Sequence, residues 1–214
     1  MPETLREAAA DLRYLLSKGY KRSSAVRFVA DRYRLCRSDR FALYRCVYPS
    51  EVAEAHLRKL VPAEDLDGTT MSIDGFNVLR TVHGALHGHP IYLCDDGFLR
   101  DISIGFRKPT FEDLCECLEL VISCIQGLKP RLAVFVYDRP VSRSGDLSKK
   151  TMEVMSARGV QGAAKTSMRS DSEILSCGEV VATSDSVVIE KASKSFDLGG
   201  YVVSNVLKIP PTKI

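Results

Sequence analysis

Met71-Ser72-Ile73-Asp74-Gly75-Phe76-Asn77 reads as a short apolar strand that ends on a carboxylate and turns at once into a helix, whose pattern runs over residues 76–86. The same grammar recurs downstream. Asp138 closes the apolar run Leu132-Ala133-Val134-Phe135-Val136-Tyr137, and Asp185 closes Val180-Val181-Ala182-Thr183-Ser184. Helical periodicity fills the intervals at 111–126, 146–158, 171–177 and 186–194, and a last strand is expected near 200–207. Residues His89 to Leu93 and Phe98 to Ile104, joined by Cys94-Asp95-Asp96-Gly97, read as a β-hairpin. Strands separated by helices imply a mostly parallel sheet with right-handed crossovers, an α/β three-layer domain over residues 69–214.

In such a sheet, ligands bind outside the carboxyl ends of the strands. Asp74, Asp138 and Asp185 are delivered there by three strands, and Asp171 and Glu173 open a short helix nearby. Carboxylates that converge repel one another unless a cation joins them, and a hard divalent ion such as Mg2+ or Mn2+ takes oxygen ligands. Each motif also has a plainer meaning. Asp74 suits a helix N-cap, Asp138 a turn before Pro140, and the acids of Ser170-Asp171-Ser172-Glu173 suit a helix start. Beyond them, Ser142-Arg143-Ser144, Lys165 and Arg169 offer phosphate contacts. Gly75 offers close backbone approach, and Asn77 and Ser184 offer support to the site.

Ahead of this domain lies a helical region, residues 1–62. Leu5 to Leu16 carries a helical period ended by Lys18-Gly19, Ser23-Ser24 and Ser38 read as caps of two further helices, and Pro49-Ser50 starts a fourth. The third should bury Phe41, Ala42, Cys46 and Tyr44. Residues 62–70, rich in Asp and Gly, read as a junction. Residues 12–50 hold ten Lys and Arg against two Asp, a local charge of +8 in a chain whose net charge is +3. A basic front on a slightly acidic body points to a polyanion partner. Helices two and three have helix-turn-helix spacing, with Arg37, Arg40, Tyr44 and Arg45 available to nucleic acid, RNA ahead of DNA.

Composition narrows the class. The chain has 214 residues, 45% hydrophobic and 27% charged, as a folded globular protein does. No apolar run approaches the roughly 18 residues of a membrane span, and the N-terminus lacks a signal-peptide core, so a cytoplasmic protein is expected. Seven cysteines without a CxxC pair read as reduced, packed thiols. His83 and His87 are four apart, as metal-binding pairs are. Gly84, Gly88 and Pro90 interrupt that segment, however, so His83, His87 and His89 are read as structural.

The ordered series Ile73-Asp74-Gly75-Phe76-Asn77, Phe135-Val136-Tyr137-Asp138, Ser170-Asp171-Ser172-Glu173 and Val180-Val181-Ala182-Thr183-Ser184-Asp185 resembles the PIN-like nuclease superfamily, especially its NYN and flap-endonuclease branches. The whole chain also resembles a mainly archaeal family in which a small helical region precedes such a domain. The resemblance implies a PIN-like domain and a Mg2+- or Mn2+-dependent endoribonuclease. Asp74, Asp138, Asp171 and Asp185 would be metal ligands and catalytic residues, with Glu173 as alternate ligand. Two departures stand out: Asp171 is followed by Ser172 and Glu173 in place of paired acids, and Ser186 follows Asp185. Both leave room for a nucleic-acid-binding protein without useful activity. Nucleic acid is the expected partner, no membrane is, and a homodimer is left open.

Overall fold

The computed structural model describes residues 2–103 and 106–214. Four helices come first: α1 (Glu3–Ser17), α2 (Arg22–Arg32), α3 (Arg37–Cys46) and α4 (Ser50–Leu57). A 3-10 turn, Ala63–Leu66, then leads into β1 (Thr70–Asp74) and α5 (Gly75–Leu86). A hairpin, β2 (Ile91–Leu93) and β3 (Leu99–Asp101), precedes α6 (Phe111–Leu128), β4 (Leu132–Asp138) and α7 (Ser144–Ala157). The chain continues through β5 (Gly162–Ser167), α8 (Ser170–Cys177), β6 (Val180–Ala182), α9 (Ser186–Lys191) and β7 (Ser195–Phe196). It ends in α10 (Leu198–Tyr201), a π-helical turn Val202–Val206, and β8 (Thr212–Lys213).

The main sheet has five strands in the order β5-β4-β1-β6-β7, every pair parallel. Both faces are covered, as parallel sheets require. Alternation along each strand divides the apolar residues between the faces. Met71, Ile73, Ala133, Phe135, Tyr137, Val180 and Ala182 face α5, α6 and α7, where the largest core forms. Val136 and Val181 face Ile174 of α8 and Val188 of α9 on the other side. This is the expected α/β three-layer arrangement behind a helical region.

The helical region has its own core, and the hairpin completes it. Leu5, Leu12, Val29 and Leu43 pack with Tyr92, Cys94 and Ile102. The junction near residue 62 is therefore packed: Leu66 is buried and the Val61 amide donates to the Ser195 carbonyl at 2.8 Å. All seven cysteines are free.

Several sequence expectations need correction. The strand expected near 200–207 is absent: residues 198–206 are helical, because the Asp197 carboxylate caps the Gly200 amide at 2.9 Å and Gly199 lets the turn close onto Thr81 of α5. The fifth strand of the sheet is β7, and β5 has no counterpart among the expected strands. Helices α2 and α3 begin at Arg22 and Arg37 without side-chain caps from Ser23, Ser24 or Ser38. Leu43 is buried in α3 while Tyr44 is half-exposed. The hairpin is antiparallel as expected, in the register Ile91 to Asp101, and Ile104 lies outside the described residues.

Candidate active site at the carboxyl edge of the sheet

Strand order reverses about β1, which opens a crevice at the carboxyl ends of β4, β1 and β6. Asp74 ends β1 level with Val136, and Asp138 projects two residues further along β4. Both share the alternation of Val136 and so lean toward the face covered by α8 and α9. Asp185 follows β6 as the N-cap of α9, where its carboxylate accepts from the Val187 amide at 2.8 Å.

Each acid is held by a local donor. The two Asp74 oxygens accept from the Asn77 amide at 3.3 Å and the Thr183 hydroxyl at 3.0 Å. Asp138 accepts from the Ser170 hydroxyl at the start of α8. Asp74 is therefore both a helix cap and a member of the crevice. Burial pushes its carboxyl up to about 6, against the pull of those two hydrogen bonds, and the negative charges of Asp185 and Asp138 raise it further. The three acids stand at the ends of adjacent strands. Their oxygens do not yet form a tight cage, however. Among the described residues, the one set of three or more His, Cys, Asp or Glu side chains with ligand atoms all within 4.8 Å of one another is His83, His87 and Asp113.

The remaining site expectations divide. Asp171 is exposed in the first turn of α8, on the rim beside Asp138. The Glu173 carboxylate is taken by the Lys165 ammonium and accepts the Cys177 thiol at 3.4 Å. Lys165 holds Glu173 below its ordinary value, and Glu173 raises Lys165 in return. Glu173 and Lys165, expected as an alternate metal ligand and a phosphate contact, are here paired with each other. Asn77 does not orient Asp74 through its side chain; its Oδ1 accepts from the Ser184 amide at 2.8 Å and the Ser184 hydroxyl at 3.1 Å, fixing the loop after β6. Gly75 has a packing reason, since a Cβ there would meet the Tyr137 ring at 2.2 Å. Ser144 is buried and donates to the Arg139 carbonyl at 3.1 Å, whereas Ser142 and Arg169 are exposed.

Two clefts carry basic side chains. One, of about 510 Å3, lies between α9 and the helical region, with Asp185 and Ser186 on one wall and Arg22, Tyr44, Arg45 and Tyr48 on the other. The second, of about 840 Å3, is lined by Arg37, Arg80, Arg107, Lys108 and Arg143 with Phe76 and Phe111. Arg143 stacks over Phe111 at 3.6 Å. Arg37, Arg40 and Arg45, all expected at nucleic acid, are thus separated. Arg37 enters the larger cleft and Arg45 the smaller, while Arg40 is spent on Asp31 at 2.7 Å and the Leu35 carbonyl at 2.9 Å.

A buried charge network has no signature in the sequence. Arg100, 1% exposed, makes a bidentate pair with Asp96, 0% exposed, at 2.7 and 2.8 Å, and His56 Nδ1 lies 3.0 Å from the same carboxylate. Arg100 also donates to the Ser184 carbonyl at 2.8 Å. Asp95 pairs with Arg13 of α1 at 2.7 Å. The Asp95-Asp96-Gly97 turn is accordingly a staple between hairpin, helical region and site loop.

Similarity to known proteins is consistent with this two-part build. The chain belongs to the family described as "Domain of unknown function (DUF5616)", whose model matches residues 63–201. Residues 4–59 match a second model, described as "Protein of unknown function (DUF434)". An uncharacterized protein of Methanocaldococcus jannaschii is 32% identical over 194 residues, which cover 90% of this chain and 92% of that one. No solved structure matches the chain. No helix among the described residues is long and apolar enough to cross a membrane.

Proposed function

For this member of the family we propose a metal-dependent nuclease on a PIN-like domain, an endoribonuclease acting on cytosolic RNA. One observation carries the reading. Asp74, Asp138 and Asp185 stand at the carboxyl ends of three adjacent parallel strands, and the other two help to keep the buried Asp74 carboxyl near 6. Burial first, and then the negative charges of Asp185 and Asp138, disfavour ionisation of Asp74, and a bound cation would favour it.

The donor set fits a hard ion, because the crevice offers carboxylate and hydroxyl oxygens. Asp74, Asp138 and Asp185 would hold Mg2+ or Mn2+, with Asp171 on the rim, and the ion would supply an activated water and charge neutralisation at the scissile phosphate. The chain's own residues do the positioning. Thr183 orients Asp74, Ser170 orients Asp138, and Asn77 fixes the loop that carries Asp185. Arg22, Tyr44 and Arg45 face Asp185 across the smaller cleft and would hold a polyanionic backbone there.

A second reading, a nucleic-acid-binding protein on an inactive nuclease fold, is favoured by the local donors that already engage Asp74, Asp138 and Asp185. The deciding experiment is cleavage of mixed RNA by the pure protein with Mn2+. Cleavage that requires the ion and is lost in Asp74→Asn supports the nuclease; RNA binding without cleavage supports the second reading.

A further inference from the structure

We propose that His83, His87 and Asp113 form a second cation site, chemically distinct from the acidic crevice and suited to Zn2+ or another late first-row divalent ion. The helix α5 runs unbroken through Gly84, so His83 and His87, its C-cap, fall on one face and their rings stack at 4.1 Å. Asp113, in the first turn of α6, approaches from the neighbouring helix. Each of the three presents one ligand atom within 4.8 Å of the other two.

The side chains are prepared for this role. The His87 Nδ1 lies 3.0 Å from the His83 carbonyl, which takes that nitrogen as donor and leaves Nε2 with its lone pair outward. His83 is 3% exposed, yet its Nε2 has no hydrogen-bond partner, a costly state for a buried polar atom. That Nε2 stands 3.7 Å from Asp113 Oδ2, too far for a hydrogen bond. The gap is close to the roughly 3.4 Å between two ligands of a tetrahedral ion with bonds near 2.0–2.1 Å. The Asp113 carboxylate is fixed in place, its Oδ2 accepting from the Thr110 amide at 2.7 Å and the Arg107 guanidinium at 2.9 Å.

Two imidazoles and one carboxylate select a borderline metal over Mg2+. Three protein ligands leave a fourth position open, and His83 borders the larger cleft that Arg80 and Lys108 also line, so that position would take water or an anionic oxygen. Arg107, exposed and 2.9 Å from Asp113, is the cation that the metal would displace.

The test uses the full untagged chain, with Co2+ as a visible probe and Zn2+ in calorimetry. The visible bands of low-coordinate Co2+ mark this site, and the wild type should bind one equivalent of either ion there, whatever the oxygen-lined crevice also takes. His87→Ala removes an exposed ligand, keeps its unfolding transition, and should weaken binding by more than roughly 100-fold. The double variant Asp74→Asn, Asp185→Asn should bind as the wild type does, which separates this site from the acidic crevice. No saturable binding by the wild type, equal affinity in His87→Ala, or loss of binding in the double variant would each overturn the assignment.

Discussion

Asp74→Asn should stabilise the metal-free protein at alkaline pH and have little effect at acidic pH. In the folded state the carboxyl is raised from 3.8 to about 6. A group whose folded value is raised binds more protons folded than unfolded between those two values, so stability falls as pH rises through that window. The penalty is small below about pH 4 and complete above about pH 7. It amounts to about 1 kcal/mol near pH 4.5 and about 3 kcal/mol near pH 8, from 1.36 kcal/mol per unit. Asparagine caps a helix as well as aspartate does. With one oxygen in place of two, it cannot accept from both Asn77 and Thr183, a loss of about 1 kcal/mol. The net gain is therefore about zero near pH 4.5 and about 2 kcal/mol near pH 8. Urea unfolding with chelator at both pH values measures it, and near pH 8 the melting temperature should rise by roughly 4–8 °C. Adding Mn2+ should then raise the wild type more than the variant, since the ion binds only the folded site. An equal stability change at both pH values, or a loss near pH 8, would refute the reasoning.

Three further outcomes follow from particular side chains. Arg100→Met leaves Asp96 buried beside His56 alone and should cost about 3–5 kcal/mol in urea unfolding; a change below about 1 kcal/mol would mean that water reaches the pair. RNA binding should weaken with salt, and Arg37→Gln with Arg45→Gln should lower the slope by about one for each phosphate no longer neutralised, read by titration at several salt concentrations. Arg40→Gln, whose guanidinium is spent on Asp31 and Leu35, should leave the slope unchanged. Gly75→Ala should destabilise by about 1–3 kcal/mol through the clash with Tyr137, measured by thermal unfolding.

The central strands are legible because each is an apolar run stopped by a carboxylate, and the stop is also the candidate functional position. Asp74, Asp138 and Asp185 can therefore be named from local sequence. β5 is not legible: Gly162-Ala163-Ala164-Lys165-Thr166-Ser167 is a partly exposed edge strand and lacks the continuous apolar run of a buried one. Residues 200–207 fail the other way. Tyr201-Val202-Val203 favours a strand locally, but the Asp197 cap and the packing of Gly199 on Thr81 impose a helix. Gly84 reads as a breaker, yet one glycine costs a helix only about 1 kcal/mol, and the helix runs through it. Reading a break there hides the alignment of His83 with His87. Asp113 lies on a different helix, so no spacing rule could have found it.

What local reading could not reach is how the site loop is held. Ser184 sits between Thr183, which donates to Asp74, and Asp185 itself. Its amide and hydroxyl go to Asn77 and its carbonyl to Arg100. Arg100 is fixed by Asp96, which also engages His56 of α4. The loop bearing two of the crevice's polar groups is thereby tied through Arg100, Asp96 and His56 to the helical region. None of these contacts follows a helical or strand period; they join residues 40 to 109 positions apart, except the Asp96–Arg100 pair within one turn and hairpin. A buried arginine and aspartate carry a desolvation cost that is offset only by such complete pairing. The helical region thus helps to hold the loop that carries Asp185, while its Arg22 and Arg45 line the cleft beside that residue.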